Sequence, residues 1–264
     1  MLDWLTRRWR TEELPGYSAL RSVPNRGLPP ELRDMEESES FTTRRNLVER
    51  DLQQPSRRPP DDEPLFTELL EANGRGVVTM ALDGIQCLPV FSSPFRAADY
   101  VQTLLTTGPS VRYLSSTPLQ LVQMLRDVER ARIDRFALDR CPRCSIFPVC
   151  SGSAMKTAHD VLAVWCIHKA TELARADLYF GYAKESARAG RLEIARDVAL
   201  ETAGHVSLED PRLHLLLGEL AVELRDRKLL REAKAFLRFL HLVRWERKLD
   251  RVVQSGSADF GDAE

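Results

Sequence analysis

Residues 77–91 read VVTMALDGIQCLPVF, two β-prone runs on either side of Asp83-Gly84. An Asp-Gly pair between apolar runs is a strong hairpin signal, because these residues tolerate the positive φ angles of a two-residue turn. The pattern therefore predicts a β-hairpin with strands over residues 77–82 and 85–91. Cys87 falls in the second strand, where packing is a sufficient role for it.

Helix and strand patterns alternate around this hairpin. Residues 65–72 are predicted to form a short amphipathic helix that ends at Asn73-Gly74. After the hairpin, Ser93-Pro94 begins a helix, residues 111–114 favour a strand, Thr117-Pro118 begins another helix, and residues 133–138 favour a last strand. This order predicts an α+β domain with a small mixed sheet over residues 64–140.

Two segments of this domain carry a family resemblance. They are FTELLEA at residues 66–72, and LPVFSS at residues 88–93 followed by AADY at residues 97–100. These segments resemble the N-terminal domain of the SseB family, over about a quarter of the chain. The resemblance implies a non-enzymatic accessory or secretion-linked module, and no catalytic residue carries over from it.

Residues 157–251 favour helices, because they are rich in Ala, Leu, Arg and Glu and contain almost no proline. Four apolar stripes at helical spacing cover residues 173–187, 192–202, 213–224 and 229–240. When Ala183 is aligned with Gly218, the offset between the two helix pairs is close to the ~34-residue period of tetratricopeptide repeats, which the segment resembles. An ordinary helical bundle is the alternative. The predicted fold is thus an α+β domain followed by an all-α domain.

The ends of the chain and the link between the domains lack such patterns. Residues 1–63 hold seven of the fifteen prolines and eleven arginines, so we predict a disordered arm. Its start, with Leu2, Leu5 and Trp9 at helical spacing, suits a short helix on a partner, a membrane surface or the protein's own body. Residues 141–156 are predicted to form a cysteine-rich hinge and residues 252–264 a disordered tail.

Charge and composition exclude several classes of protein. Thirty-eight Lys and Arg against thirty-nine Asp and Glu leave a net charge of -1, which argues against a general nucleic-acid binder. No apolar run approaches the ~18 residues that span a bilayer. No apolar stretch precedes the arginines of the first eight residues, so a secretory signal is not expected and a cytoplasmic location is predicted. Residues 225–251 carry ten Lys and Arg against four Asp and Glu, which we interpret as the polar outer face of a capping helix rather than a site for an acidic partner, phosphate or RNA.

Four of the five cysteines, Cys141, Cys144, Cys150 and Cys166, are concentrated between residues 141 and 166. A C-x2-C pair offers two thiolates to one ion, and Cys150 supplies a third. The candidates for the fourth ligand are Cys166, His159 and His168, all on one predicted helix. Cys166 and His159 lie about 10 Å apart along its axis and therefore cannot both bind the same ion. A structural zinc site is the predicted cofactor, although Cys166 suits a buried packing position equally well.

An iron-sulfur or redox accessory protein is the alternative function. The C-x2-C-x5-C spacing resembles the auxiliary-cluster motif of SPASM-type radical-SAM enzymes, but the chain has no CxxxCxxC for a catalytic cluster, which excludes a radical enzyme. Thioredoxin-like chemistry is disfavoured because Pro148 interrupts the helix that such a site requires. No GxxxxGK, HExxH or GxSxG motif is present, and an enzyme is not predicted.

The predicted function is that of a cytoplasmic adaptor that binds a protein or peptide in a helical groove. Tetratricopeptide pairs expose the first helix of each pair. The candidate binding residues on those helices are Tyr179, Tyr182, Lys184, Arg212 and His214. Tyrosines are favoured in interfaces because each ring buries a large area and ends in a polar group.

Overall fold

The computed structural model describes residues 17, 29–71, 76–82, 84–92, 96–97, 100–101, 111–130, 133, 135–139, 146–148, 157–205 and 210–256. The chain divides into two compact units, one made of residues 44–171 and the other of residues 1–43 and 172–264. We call them the sheet unit and the helical unit. The described elements are a mixed sheet with helices, followed along the chain by packed helices, so the α+β prediction is confirmed.

The strands and helices have the following bounds. The strands are β1 (Phe66–Glu71), β2 (Met80–Leu82), β3 (Ile85–Phe91), β4 (Val111–Ser116), β5 (Arg135–Leu138) and β6 (Ile146–Pro148). The helices are α1 (Pro30–Glu36), α2 (Glu39–Leu52), α3 (Pro118–Arg130), α4 (Ala158–Arg188), α5 (Leu192–His205), α6 (Pro211–Glu223), α7 (Arg227–Phe239) and α8 (Val243–Gly256). The division between the units falls within α2 and within α4.

The sheet has the strand order β4-β1-β3-β5-β6, with β2 also paired to β3. The β3–β5 pair is parallel and the other pairs are antiparallel. Leu82 pairs with Ile85 and Gly84 has a φ of 79°, which confirms the predicted hairpin turn. Its second strand has the predicted bounds, whereas its first strand begins at residue 80 and not at residue 77. The predicted helix over residues 65–72 is wrong, because this segment forms β1. Short apolar runs do not distinguish a helix from a buried strand by spacing alone.

Apolar side chains cover both faces of the sheet. On one face, Phe66, Val90 and Leu138 pack with the inner side of α3 and with Val161 of α4. On the other face, Leu69, Phe91 and Ala137 pack with Ala97, Tyr100 and Val101. Residues 96, 97, 100 and 101 are helical, as Ser93-Pro94 predicted. The middle strands are therefore buried on both sides.

The helical unit follows the predicted stripes. Gly190, with a φ of 74°, ends the turn after α4, and Asp210 caps α6 by accepting a hydrogen bond from the Arg212 backbone N–H. Gly218 permits α6 to approach α8, since a Cβ there would lie 2.5 Å from Leu249 Cδ1. The four predicted helical stripes are confirmed as helices α4 to α7, whereas the resemblance to tetratricopeptide repeats stays a prediction.

The terminal segments differ from the predicted arm and tail. Within residues 1–63, the structure has α1 and α2, and it buries Tyr17, Leu32 and Phe41. Tyr17 and Leu32 belong to the core of the helical unit. Isolated apolar residues that dock on other helices leave no apolar period of their own, so the composition of the segment concealed them. Residues 252–256 continue α8, while the segment with Leu2, Leu5 and Trp9 lies outside the described residues.

None of the described helices is long and apolar enough to cross a membrane.

Candidate functional site

Strand β4 forms an exposed edge of the sheet. It stands at the end of the strand order, and among the described strands it pairs with β1 alone. Four consecutive residues, Arg112, Tyr113, Leu114 and Ser115, have exposed side chains. Because neighbouring side chains of a strand point to opposite faces, both faces of the sheet are open along this strand. We call these four residues the β4 edge.

The hydrogen bonds of β1 determine which backbone groups of β4 face outward. Leu69 O accepts from Val78 N at 2.9 Å, and Glu71 N donates to Gly76 O at 2.9 Å, so both residues face away from β4. The alternate residues Glu68 and Leu70 therefore face β4, where their register partners are Leu114 and Arg112. The backbone N–H and C=O groups of Tyr113 and Ser115 consequently point to the open side of the edge.

Among the described residues, the β4 edge has little of the usual protection against pairing with another strand. Exposed edges are commonly protected by lysine, proline, a bulge or inward-pointing charges. Strand β4 reads VRYLSS, with Arg112 as its one charge. Tyr113 is 46% and Leu114 37% exposed, and Leu119 at the start of α3 is 64% exposed. The arrangement combines backbone groups that have no strand partner among the described residues with exposed apolar side chains.

A buried carboxylic acid lies on β1 beside this edge. Glu68 pairs in register with Leu114 and is fully buried. The Ser116 hydroxyl on β4 donates to Glu68 Oε2 at 2.7 Å, while Oε1 has no hydrogen-bond donor among the described residues. Burial raises the pKa of Glu68 to about 7, and the hydrogen bond from Ser116 offsets part of this shift. Glu68 therefore titrates near neutral pH.

A second buried carboxylate lies at the end of β5. Asp139 has a φ of 50°, and its backbone N–H donates to Val90 O at 2.7 Å. Its Oδ1 accepts from the Ser92 backbone N–H at 2.7 Å, and its Oδ2 accepts from the Ser92 hydroxyl. His168 Nε2 lies 2.9 Å and Arg96 Nη1 3.1 Å from the same Oδ2.

These partners determine the charge of Asp139. Burial alone would raise the pKa of this carboxyl, but the charge of Arg96 and the hydrogen bonds from His168 and Ser92 hold it well below its usual range. Asp139 is therefore ionised, and it joins the end of β3, the end of β5 and the first half of α4.

The surroundings of Asp139 also bear on metal binding. Asp139 and His168 are buried and are ligand types that divalent ions accept. Both Asp139 oxygens, however, already accept hydrogen bonds from protein donors, and a guanidinium lies beside Oδ2. A cation at Oδ2 would have to displace Arg96 and take the place of the His168 proton. The donor set thus fits a buried ion pair better than a metal site.

The predicted cysteine site is partly outside the described residues. Cys141, Cys144 and Cys150 lie there, and the first two fall in the chain between β5 and β6, which pair antiparallel. Cys166 is a buried free thiol on α4, and burial raises its pKa, which disfavours the thiolate that a metal requires. His159 is exposed, and its Nδ1 accepts from Arg58 Nη1 at 2.9 Å. The surroundings of Cys166 favour its packing role.

The predicted groove residues do not share one surface. Tyr179 is buried and donates its hydroxyl proton to Glu36, and His214 is buried with its ring stacked on Phe236. Arg212 Nη2 lies 2.7 Å from Asp177 and 2.7 Å from Asp210. Tyr182 is half-buried against the core, and Lys184 is exposed. Helical spacing indicated that Tyr179 and Tyr182 share a helix face, but it did not show that this face packs against the core.

We compared the chain with models of protein families, with curated proteins and with solved structures, and none of them matched it. The resemblances to the SseB family and to tetratricopeptide repeats therefore stay predictions. The β4 edge, Glu68 and Asp139 were not identified by sequence reasoning. The one sequence signal for any of these three features was Glu68, a glutamate inside the apolar run of residues 65–70.

Proposed function

We propose that this protein is a non-enzymatic cytoplasmic adaptor that binds an extended segment of a partner protein along β4. The observation that supports this proposal is the exposure of four consecutive side chains on an edge strand. A partner strand would exchange hydrogen bonds with the outward backbone groups of Tyr113 and Ser115. Strand addition of this kind obtains affinity from the main chain and specificity from alternate side chains.

The side chains of the β4 edge favour a particular kind of segment. Tyr113 and Leu114 point to opposite faces, so each face offers one apolar contact. Arg112 is the one charge of β4, and a cross-strand carboxylate opposite it would add a favourable pair. The favoured partner is thus an extended segment with apolar residues on both faces and one acidic residue.

The substitution Ser115→Pro tests the proposal at the backbone. Proline removes the outward N–H of residue 115 but no hydrogen bond to β1, and edge strands tolerate proline at such positions. We expect this variant to fold and to lose strand addition. Ser115→Thr keeps the N–H and is the matched control, whereas Leu114→Pro removes a hydrogen bond to β1 and is expected to destabilise the sheet.

The probe is a displayed library of random peptides selected on the wild-type protein. We expect peptides with apolar residues and a carboxylate that bind the wild type and Ser115→Thr but bind Ser115→Pro at least tenfold more weakly. Peptides that bind Ser115→Pro equally well would contradict the proposal. Sedimentation of the protein alone tests the other occupant, because dimers that Ser115→Pro disrupts would assign β4 to a second copy of this chain.

We also propose that Cys141, Cys144 and Cys150 hold a structural zinc ion, with Cys166 or His159 as fourth ligand. The support is their spacing and the position of Cys141 and Cys144 between two paired strands. Metal analysis is expected to find about one zinc per chain, and Cys144→Ser is expected to release it. Visible absorbance of anaerobically purified protein would instead favour an iron-sulfur centre, and metal-free protein of unchanged stability would contradict both.

A further inference from the structure

Along α7 and α8, the charged side chains that are exposed to solvent are all cationic. Residues 227–255 are all described, and their exposed members include no carboxylate. The exposed cations there, which we call the cationic face, are Arg227, Lys228, Arg231, Arg238, Arg244, Arg247, Lys248 and Arg251. The nearby acidic residues Asp226, Glu232, Glu246 and Asp250 are half-buried.

Three of those acidic residues have identified partners. Asp226 caps α7 by accepting from the backbone N–H groups of Lys228 and Leu229. Asp250 pairs with Lys234, which is outside the cationic face, at 2.7 Å. Glu246 pairs with Arg238. The eight side chains of the cationic face nevertheless remain exposed.

The positions of these cations destabilise the helices that carry them. Arg244, Arg247, Lys248 and Arg251 have the spacing i, i+3, i+4 and i+7, so they form one stripe of like charges on α8. Arg227 and Lys228 lie in the first turn of α7, where the helix dipole disfavours cations. A surface that only needs to be hydrated mixes both signs. This segregation favours an anionic ligand over our interpretation of the segment as a capping face.

We propose that the cationic face binds the phosphate backbone of a double-helical nucleic acid without reading its sequence. Phosphate contacts by Lys and Arg supply nearly all of non-specific binding to a duplex, and they require no apolar surface. The proposal concerns the helical unit and is independent of the β4 edge.

Other polyanions fit this face less well. The other exposed residues between 227 and 255 are Ala235, His241, Val243, Gln254 and Ser255. Val243, which is 52% exposed, is the one large apolar side chain among them, and none has a benzene ring. An acidic protein segment would need an aromatic or apolar centre in the interface, and an anionic membrane would need bulky side chains to insert. Single strands bind by base stacking on exposed rings, whereas Trp245 is half-buried with Lys248 Nζ 5.8 Å from its ring centroid.

The net charge of the whole chain does not oppose this proposal. The value of -1 sums charges over 264 residues, whereas a ligand at physiological salt senses charges within about 8 Å. On that scale the acidic residues elsewhere in the chain are screened. A chain of nearly zero net charge can therefore carry a local nucleic-acid site.

The test measures fluorescence anisotropy of labelled 20-base-pair DNA and RNA duplexes with the full-length protein over a range of KCl concentrations. If about six phosphates are contacted, log K is expected to fall with log salt with a slope of about -5. Arg247→Gln with Arg251→Gln is expected to reduce the steepness of that slope by about two. Arg188→Gln with Arg191→Gln removes the same charge from two other exposed positions and is expected to leave binding unchanged.

Several outcomes would overturn the proposal. They include no binding to either duplex at low salt, equal binding by the Arg247/Arg251 variant, or equal weakening by the control variant. Tighter binding to single strands would assign a stacking site instead. Vesicles with phosphatidylserine would assign a membrane as the partner if they bind as tightly as the duplex and with the same dependence on Arg247 and Arg251. Polyglutamate that meets the same two conditions would assign an acidic protein. Circular dichroism verifies that each variant is folded.

Discussion

The same sheet buries one carboxyl group in the middle of β1 and another at the end of β5, and their pKa values shift in opposite directions. Asp139 has a guanidinium, an imidazole and a serine as partners, and its pKa lies well below the usual range. Glu68 has the Ser116 hydroxyl as its side-chain donor, and its pKa is raised to about 7. Burial penalises both charges, and the number and charge of the donors decide which group stays ionised.

This difference gives the two groups opposite effects on stability as the pH changes. The pKa of Glu68 is higher in the folded than in the unfolded chain, so its contribution is fully present below about 4.5 and is lost as the pH rises through about 7. The pKa of Asp139 is lowered, so its contribution is present above its ordinary value of 3.8 and is lost as the pH falls below that value.

The largest predicted effect comes from removing the cation beside Asp139. Arg96→Met leaves a buried carboxylate without its charge partner, and we expect the free energy of unfolding at pH 7 to fall by about 3–5 kcal/mol. Urea denaturation measures this loss. Arg126→Met, at an exposed position on α3, is the control and is expected to change stability by about 0.5 kcal/mol or less. Equal, small losses in both variants would show that Arg96 does not neutralise Asp139.

Glu68→Gln is predicted to have the next largest effect, with the opposite sign. A shift from 4.5 to about 7 corresponds to about 3 kcal/mol of stability that the wild type loses between pH 4.5 and 8. Glutamine does not ionise, so the variant is expected to lack most of this loss and to be the more stable form at pH 8. Urea denaturation at pH 5, 6, 7 and 8 measures both curves. Parallel curves would contradict a raised pKa at Glu68.

The sequence predicted those parts of the fold that depend on neighbouring residues. The Asp83-Gly84 turn depends on the backbone conformations that these two adjacent residues allow. Each apolar stripe of α4 to α7 repeats within a single helix. The prediction of a helix at β1 was wrong because the burial of this segment depends on β3 and β4, which contact it from distant parts of the chain. Tyr17 escaped prediction for a similar reason, since its ring stacks on His214 and Phe236.

The candidate sites were less predictable than the fold. The sequence contains Arg96, Asp139 and His168, but it does not show that residues 43 and 29 positions away from Asp139 meet around its carboxylate. The exposure of β4 depends on its place at the end of the strand order, which single-sequence patterns do not encode. The cations of α7 and α8 were visible, but their segregation from the acidic residues required knowledge of burial.

The smallest predicted effect compares the same substitution in the two regions. Ser116→Ala removes the side-chain donor of Glu68, whereas Ser92→Ala leaves Asp139 with Arg96, His168 and the Ser92 backbone N–H. Glu68 can respond by remaining protonated, because its pKa is already near neutral. Ser116→Ala is therefore expected to raise the pKa of Glu68 above 7 while stability at pH 7 falls by about 1 kcal/mol or less. Asp139 has no such response near neutral pH, so Ser92→Ala is expected to leave it ionised. Carbon-13 NMR of the side-chain carboxyls follows both titrations, and a fall in the pKa of Glu68 would show that Ser116 does not stabilise its charged form.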